Sequence, residues 1–312
     1  MTVQKTLTPR ATAELALLGL VWGASFLAIR VALDEVPVLT SVAWRVAPAA
    51  AALWLWVRLR RLPVPRGARV WAAFLVMGLL NNALPFTLMA WAQLHIETGL
   101  TAILNASTAI FGLLFAALAF GDERLTARKA GGVALGFAGV VAAIGPDALT
   151  GLDLRSAAQL AVLGGTVCYA LAGLWARARL SGLAPEVAAA GMLTGSTLIC
   201  VPLALLVDGW PDLALAPATW AGVGYYALIS TAFAYLLYYR VLAMAGSANL
   251  LFITLVIPPV AIALGAAVRG EALAPGAFLG LGLLAAGLGL LDGRLGRRRH
   301  APEGGASLKT PR

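Results

Sequence analysis

A helix needs about 20 consecutive, mostly apolar residues to cross the hydrocarbon core of a bilayer. This chain meets that requirement repeatedly. Segments 11–33, 37–57, 69–93, 98–120, 127–145, 155–177, 185–207, 219–242, 247–268 and 275–291 all qualify, which predicts ten transmembrane helices. The joints carry turn chemistry: Pro37, Pro63-Val64-Pro65, Gly145-Pro146-Asp147, Pro185, Asp208-Gly209-Trp210-Pro211, Pro217 and Pro275. The loops are short and leave no room for a soluble domain. Lipid offers no partner for backbone polar groups, so apolar spans of this length are helical. Composition agrees: 61% of the 312 residues are apolar and 12% are charged. Typical soluble domains have ~45–50% and ~25%. A soluble fold could not cover that much apolar surface. Disorder, a collagenous rod, a disulfide scaffold and a nucleic-acid-binding domain are excluded on the same grounds.

The first apolar run follows Lys5 and Arg10, as the core of a signal peptide would. It is longer than a ~7–15-residue signal core and lacks a small-x-small cleavage site after it. It reads as a retained helix.

The net charge of +9 is sorted by side rather than spread. Put the N-terminus inside. Of the 23 Lys and Arg, all then fall on cytoplasmic segments except Arg30 and Arg45, within spans, and Arg155 and Arg269, in outer loops. This is the positive-inside pattern, and a miscounted helix would scramble it. Both termini are expected in the cytoplasm, and 292–312 is expected to be a disordered basic tail. Arginine greatly outnumbers lysine, which points to a GC-rich bacterial genome and so to the inner membrane.

The chain also repeats itself. Residues 98–140 align with 246–288, pairing Glu123 with Glu271, Leu125 with Leu273, Gly132 with Gly280, Leu135 with Leu283, Ala138 with Ala286 and Gly139 with Gly287. Near the front of each half, Trp22 pairs with Tyr169 and Arg30 with Arg177. Each half, 11–145 and 155–291, holds five spans. An odd number turns the second half upside down relative to the first. Inverted repeats of this kind build secondary transporters, with the substrate site near midplane between the halves. The expected fold is an all-α membrane protein of two inverted five-helix repeats.

Particular residues now carry a family resemblance. Trp22-Gly23-Ala24-Ser25-Phe26, followed by Arg45, resembles the start of EamA-type transporters of the drug/metabolite transporter superfamily. Asn82-Ala83-Leu84-Pro85-Phe86 and Trp91-Ala92-Gln93 resemble that family's third span, and Leu104-Asn105-Ala106-Ser107-Thr108 its fourth. Gly121-Asp122-Glu123-Arg124-Leu125 and Arg269-Gly270-Glu271-Ala272-Leu273 resemble its glutamate-bearing joints. Ser230-Thr231-Ala232 with Tyr235 and Tyr238 resembles the eighth span, and Pro258 is typical of the ninth. The ordered set covers nearly all of 15–291. Ile110 departs from it, standing where the family would have a proline and a kink. The resemblance implies a carrier of small metabolites, often an exporter of amino acids or related compounds. It also implies that one chain encloses a complete cavity, so a monomer suffices.

Ionisable and polar groups inside spans are the candidates for a site. Arg45 sits about eight residues into the second span, ~12 Å deep. An ionisable group at that depth is expensive and marks function by default. It either binds a substrate carboxylate or pairs with helix carbonyls or with Asp34 or Glu35. Arg30 lies nearer the interface, where snorkelling accounts for it. The amides Asn81, Asn82 and Gln93, with Asn105, Ser107 and Thr108, must face the bundle interior. They either line a cavity or bond between helices. Asn81 and Asn82 point ~100° apart, so one of the two is expected on the cavity. Mid-span aromatics form either a stacking wall or plain packing. The substrate-binding candidates are Trp22, Arg45, Asn82, Trp91, Gln93, Asn105, Tyr169, Thr231, Tyr235 and Asn249.

What is missing also constrains the chemistry. None of the 14 carboxylates lies at midplane, and neither His95 nor His300 lies within a core span. Proton-coupled carriers commonly use such groups, so facilitated diffusion or exchange is expected. Glu14 is the remaining candidate for proton work, but an Arg10–Glu14 pair at i,i+4 explains it more simply. Cys168 and Cys200 lie in apolar runs without metal-ligand spacing. No HExxH, Walker A or GxSxG motif is present, and no catalytic residue, cofactor or metal is expected. The partners expected are a small-molecule substrate and the lipid bilayer, not nucleic acid. A drug or lipophilic-cation exporter is the main rival, but such cargo favours a midplane carboxylate. An intramembrane enzyme would need a buried nucleophile with its base.

Overall fold

The computed structural model describes residues 8–119, 126–145, 153–250 and 253–292, with backbone alone for 246–248 and 292. Among these residues there is no strand. The first two helices are α1 (Pro9–Ala32) and α2 (Val38–Leu59). Next, α3 (Ala68–Gly78) runs through a π-helical turn, Leu79–Ala83, into α4 (Leu84–Ala92). After α5 (Thr98–Asn105) and α6 (Thr108–Ala119) comes α7 (Ala127–Ile144). The chain continues with α8 (Leu154–Arg179), α9 (Pro185–Val207) and α10 (Pro217–Gly224). A second π-helical segment, Tyr225–Phe233, joins α10 to α11 (Ala234–Leu250). The last two are α12 (Ile253–Arg269) and α13 (Pro275–Asp292).

Eight helical stretches among the described residues are long and apolar enough to cross a membrane, and two apolar helices, Ile253–Arg269 and Pro275–Leu291, are shorter. The expected basic tail lies outside the described residues. One boundary is corrected. The eighth span was expected to end at 242, but α11 runs to Leu250. The small residues Ala245 to Ala248 do not break a helix, so Asn249 belongs to this helix and not to the next.

The helix starts follow local chemistry. Thr8 caps α1 by accepting from the Ala11 N–H, with Pro9 in the first turn. Thr126 caps α7 and Asp153 caps α8 in the same way. The fourth span breaks between Asn105 and Thr108 although no proline is present. Hydroxyls do it: Ser107 Oγ donates to the Leu104 carbonyl at 2.7 Å and Thr108 Oγ1 to that of Asn105 at 2.8 Å.

The helices α2 and α9 pack together, as do α1 with α12, α8 with α4 and α6, and α7 with α13. The last pair meets through glycines. A Cβ added at Gly280 would lie 2.6 Å from the Gly139 carbonyl oxygen, and one at Gly287 would lie 2.8 Å from that of Gly132. Gly280→Leu is therefore expected to wedge the helices apart and lower the thermal midpoint in detergent. The loss should be that of an overpacked core, about 1–3 kcal/mol. Gly282→Leu on the same helix is the control, because nothing lies within 4 Å of an added Cβ there. Equal midpoints for the two variants would refute the close packing.

One end of the bundle is held by carboxylates. Asp208, after α9, accepts from the N–H and Oγ1 of Thr40 at the start of α2, both at 2.8 Å. Glu271, after α12, accepts from the N–H and Oγ1 of Thr98 at the start of α5, at 2.8 and 2.7 Å. Glu35, after α1, accepts from Ala216 N–H and Thr219 Oγ1 at the start of α10. Asp34 bridges Arg30 and Arg269 at 2.7 and 2.6 Å, and Glu97 receives both Nη groups of Arg155. Burial pushes the Asp34 carboxyl up, but hydrogen bonds from Arg269 and Arg30 outweigh it and hold the group below its usual 3.8. Its contribution is thus fully present above that value and is lost only as pH falls through the lowered one. At the other end, Glu14 pairs with Arg10, as expected from spacing, and also with Arg240 of α11.

Candidate functional site

Both π-helical segments lie where the bundle opens inside. Pro85 has no N–H to offer the preceding turn. The ladder widens just before it, and the Leu84 N–H reaches the Leu79 carbonyl. In the second segment Thr231 Oγ1 and Ser230 Oγ both donate to the Tyr226 carbonyl, at 2.7 and 3.2 Å. These hydroxyls compete with the backbone ladder. Widened turns of this kind concentrate at functional sites.

Between the helices lies a cavity of about 560 Å³. It runs from Gln93, at the carboxylate-clamped end, to Ala176, Leu242 and Ile253 toward the other. Much of its wall is aromatic or thioether: Trp22, Phe26, Phe86, Tyr169, Tyr235, Tyr238, Tyr239, Met77, Met89 and Met192. Its fixed charge among the described residues is Arg45. Neither Asp34 nor Glu35 pairs with Arg45; both are engaged elsewhere, as described above. Arg45 Nε donates to Thr231 Oγ1 at 3.0 Å, and the guanidinium carbon lies 3.8 Å from the Phe86 ring centroid. Thr231 gives its own proton to Tyr226, so its lone pair faces Arg45. The Nη donors of Arg45 have no protein acceptor among the described residues. The result is a stacked, oriented cation in a largely apolar chamber.

The structure brings Trp22, Arg45, Gln93, Asn105, Tyr169, Thr231 and Tyr235 to the cavity wall. Trp22 is fixed by its Nε1–H on the Ser230 carbonyl at 3.0 Å, with its ring 5.7 Å from that of Tyr238. Gln93 donates from Nε2 to the Phe26 carbonyl at 2.9 Å.

Three expected members lie elsewhere. Asn82 is fully buried behind the wall, where its Nδ2 donates to Ser196 Oγ at 2.9 Å and its Oδ1 accepts from Tyr235. The π turn rotates it toward α9 and puts Asn81 on the cavity instead. Asn81 Nδ2 lies within 3.2 Å of both Met192 Sδ and Tyr235 Oη. Trp91 packs among apolar side chains against His95, at 4.8 Å between centroids. Asn249, on α11, turns its amide back to the Ala245 carbonyl four residues earlier. Besides Asn81, Ser25, Met77, Met192 and Tyr239 were not anticipated on the wall. A signal for Asn81 was present: Pro85 lies four residues on, where it removes that turn's hydrogen bond. Cys168 and Cys200 are free thiols.

Comparison with known proteins identifies the frame that carries this cavity. The EamA-like transporter family matches twice, over residues 13–145 and 156–291. The chain belongs to the EamA-like transporter family. It is a multi-pass integral membrane transporter and not an enzyme. A protein of Streptantibioticus cattleyicolor named "Probable terminal-alkyne amino-acid exporter" is 30% identical over 295 residues, covering 94% of this chain and 97% of the relative. An "Uncharacterized transporter" of Archaeoglobus fulgidus is 26% identical over 251 residues, covering 78% of this chain and 84% of that one. A solved crystal structure, 17% identical, matches with a TM-score of 0.64 over 90% of this chain and 97% of its own. At that identity it speaks for the fold alone.

Proposed function

We propose that this chain is a secondary carrier of small amphipathic zwitterions or anions, amino acids foremost, across a bacterial inner membrane. It works by alternating access, as an exporter or facilitator. The observation that carries this reading is Arg45, a cation on the wall of an otherwise largely apolar cavity with no carboxylate partner. A solute carboxylate supplies the missing acceptor, and a guanidinium fork suits carboxylate geometry. The aromatic and Met-lined wall takes an apolar side chain. The Streptantibioticus relative, named a "Probable terminal-alkyne amino-acid exporter", points the same way. A lipophilic cation would meet Arg45 unfavourably.

The topology we infer is ten spans in two inverted halves, 11–145 and 155–291, with both termini and the tail 292–312 in the cytoplasm. The sorting of Lys and Arg supports it. So does the crossed contact of repeat-related glycines, Gly132 with Gly287 and Gly139 with Gly280. Exchanging the halves about a two-fold axis turns one contact into the other. The carboxylate clamps then lie on the outer face. The cavity wall carries no Asp or Glu among the described residues, which supports exchange or facilitated diffusion over proton-driven transport. One chain encloses the cavity, so a monomer suffices.

Counterflow in proteoliposomes tests the reading, with a panel of amino acids, amines and nucleosides run with and without a pH gradient. Counterflow of neutral amino acids, indifferent to the gradient, is expected. Gradient-driven movement of cations without amino-acid flux would overturn it.

A further inference from the structure

Among the described residues, four buried side-chain atoms have no hydrogen-bond partner: Glu14 Oε2, Gln93 Oε1, Asn105 Oδ1 and Gln159 Oε1. Gln93 and Asn105 belong to the cavity wall. The sense of the Gln93 amide is set by its surroundings. Its Nε2 donates to the Phe26 carbonyl, so the orphan is the oxygen. Gln93 is 1% exposed. A buried acceptor left without a donor costs free energy, so two of them on one wall call for a donor that the protein does not provide.

We infer that Gln93 Oε1 and Asn105 Oδ1 receive the ammonium group of a zwitterionic solute whose carboxylate is held by Arg45, and that this pair makes the cavity select zwitterions over simple carboxylates. The inference rests on the transport reading above and adds the specificity residues. Placement supports it. Arg45 is on α2, bonded to the second π segment, whereas Gln93 follows α4 beside α1 and Asn105 ends α5. Cation and acceptors thus come from different helices around one chamber. Asn105 is the last residue of its helix, where the helix dipole is negative and favours a cation. Trp22 lies one turn before Phe26 on α1, and Tyr238 stands beside it. Their ring faces supply the cation–π surface that accompanies ammonium recognition. Neutral acceptors suit this task better than a carboxylate, which would pair with Arg45 and close the site to the solute.

The test is competition in proteoliposome counterflow of labelled phenylalanine. Unlabelled phenylalanine and 3-phenylpropanoate, which lacks the amine, are the competitors. Wild type is expected to prefer the zwitterion by at least about tenfold, as for a site that loses charge-assisted hydrogen bonds. Gln93→Leu and Asn105→Leu are expected to bring the two competitors within about threefold of each other. Asn105→Gln keeps a neutral amide acceptor and is expected to keep the preference, which separates lost recognition from lost folding. Equal competition in wild type, or a preference unchanged in both leucine variants, would overturn this inference and leave the role of Arg45 standing. No counterflow by wild type of phenylalanine or of any amino acid in the panel above would overturn the transport reading itself and this inference with it.

Discussion

Arg45→Ala is expected to lower counterflow of neutral amino acids by about 10- to 100-fold while leaving the folded protein intact. The magnitude is that of a charge-assisted hydrogen bond to a carboxylate, about 1.5–3 kcal/mol. The fold should survive because little depends on the guanidinium. Its partner Thr231 already donates to the Tyr226 carbonyl, so truncation leaves no buried hydroxyl unsatisfied. Removing an uncompensated cation from an apolar chamber also relieves a desolvation cost. Arg45→Lys should fall between the two. It keeps the charge but loses the fork, the Nε bond to Thr231 and the stack on Phe86 at 3.8 Å. Thermal unfolding in detergent, run beside the flux assay, separates a lost site from a lost fold. Full transport by a normally folded Arg45→Ala would remove the central support for an anionic or zwitterionic cargo.

The helical frame was legible in the sequence because lipid leaves a spanning segment few choices. About 20 apolar residues in a row must close their own backbone hydrogen bonds. That constraint is local, so the runs themselves give the rods. The interruptions are not local in this sense. The break at Asn105 to Thr108 comes from hydroxyls that bond backwards, and Ser and Thr in apolar runs more often leave a helix straight. The eighth span was expected to end at 242, but α11 runs on to Leu250 through residues too small to mark where a helix stops. The site was legible to the extent that depth in the membrane decides it. Arg45, Gln93 and Asn105 are polar groups that lipid would not tolerate on the outside, and all three meet the cavity. Rotation about the helix axis was not legible. Asn81 and Asn82 are neighbours of equal polarity, and the π turn before Pro85 decides which faces the chamber. Sequence also could not tell that Asp34 and Glu35 would be engaged elsewhere, since their partners Arg269 and Thr219 lie far along the chain. That engagement is what leaves Arg45 without a carboxylate.

Neutralising the carboxylate clamps is expected to open the cavity from their side of the membrane. Asp34 ties the end of α1 to the end of α12, Glu271 ties the end of α12 to the start of α5, and Asp208 ties the end of α9 to the start of α2. Each joins a helix of one proposed half to a helix of the other. Among the described residues, the end near Glu14 shows Arg10 and Arg240 around one carboxylate. An equilibrium between two orientations of the halves is governed by the difference in what each orientation binds. Removing contacts made at one end in this arrangement must therefore raise the population open at that end. Each clamp contributes about 0.5–1.5 kcal/mol when neutral and more when charged. The double variant Asp34→Asn, Glu271→Gln should then shift the ratio by roughly tenfold or more. The readout is a cysteine at Ser25, a cavity residue 3% exposed, in a background where Cys168 and Cys200 are serine. Impermeant thiol reagent added from the clamped side is expected to label Cys at 25 slowly in this background and at least several-fold faster in the double variant. Reagent from the opposite side should lose rate in the same variant, because the two open populations compete. Faster labelling from both sides together would mean loosening of the bundle and not a shift between two states. Unchanged labelling from the clamped side would mean that these contacts hold helix ends in place without gating the cavity.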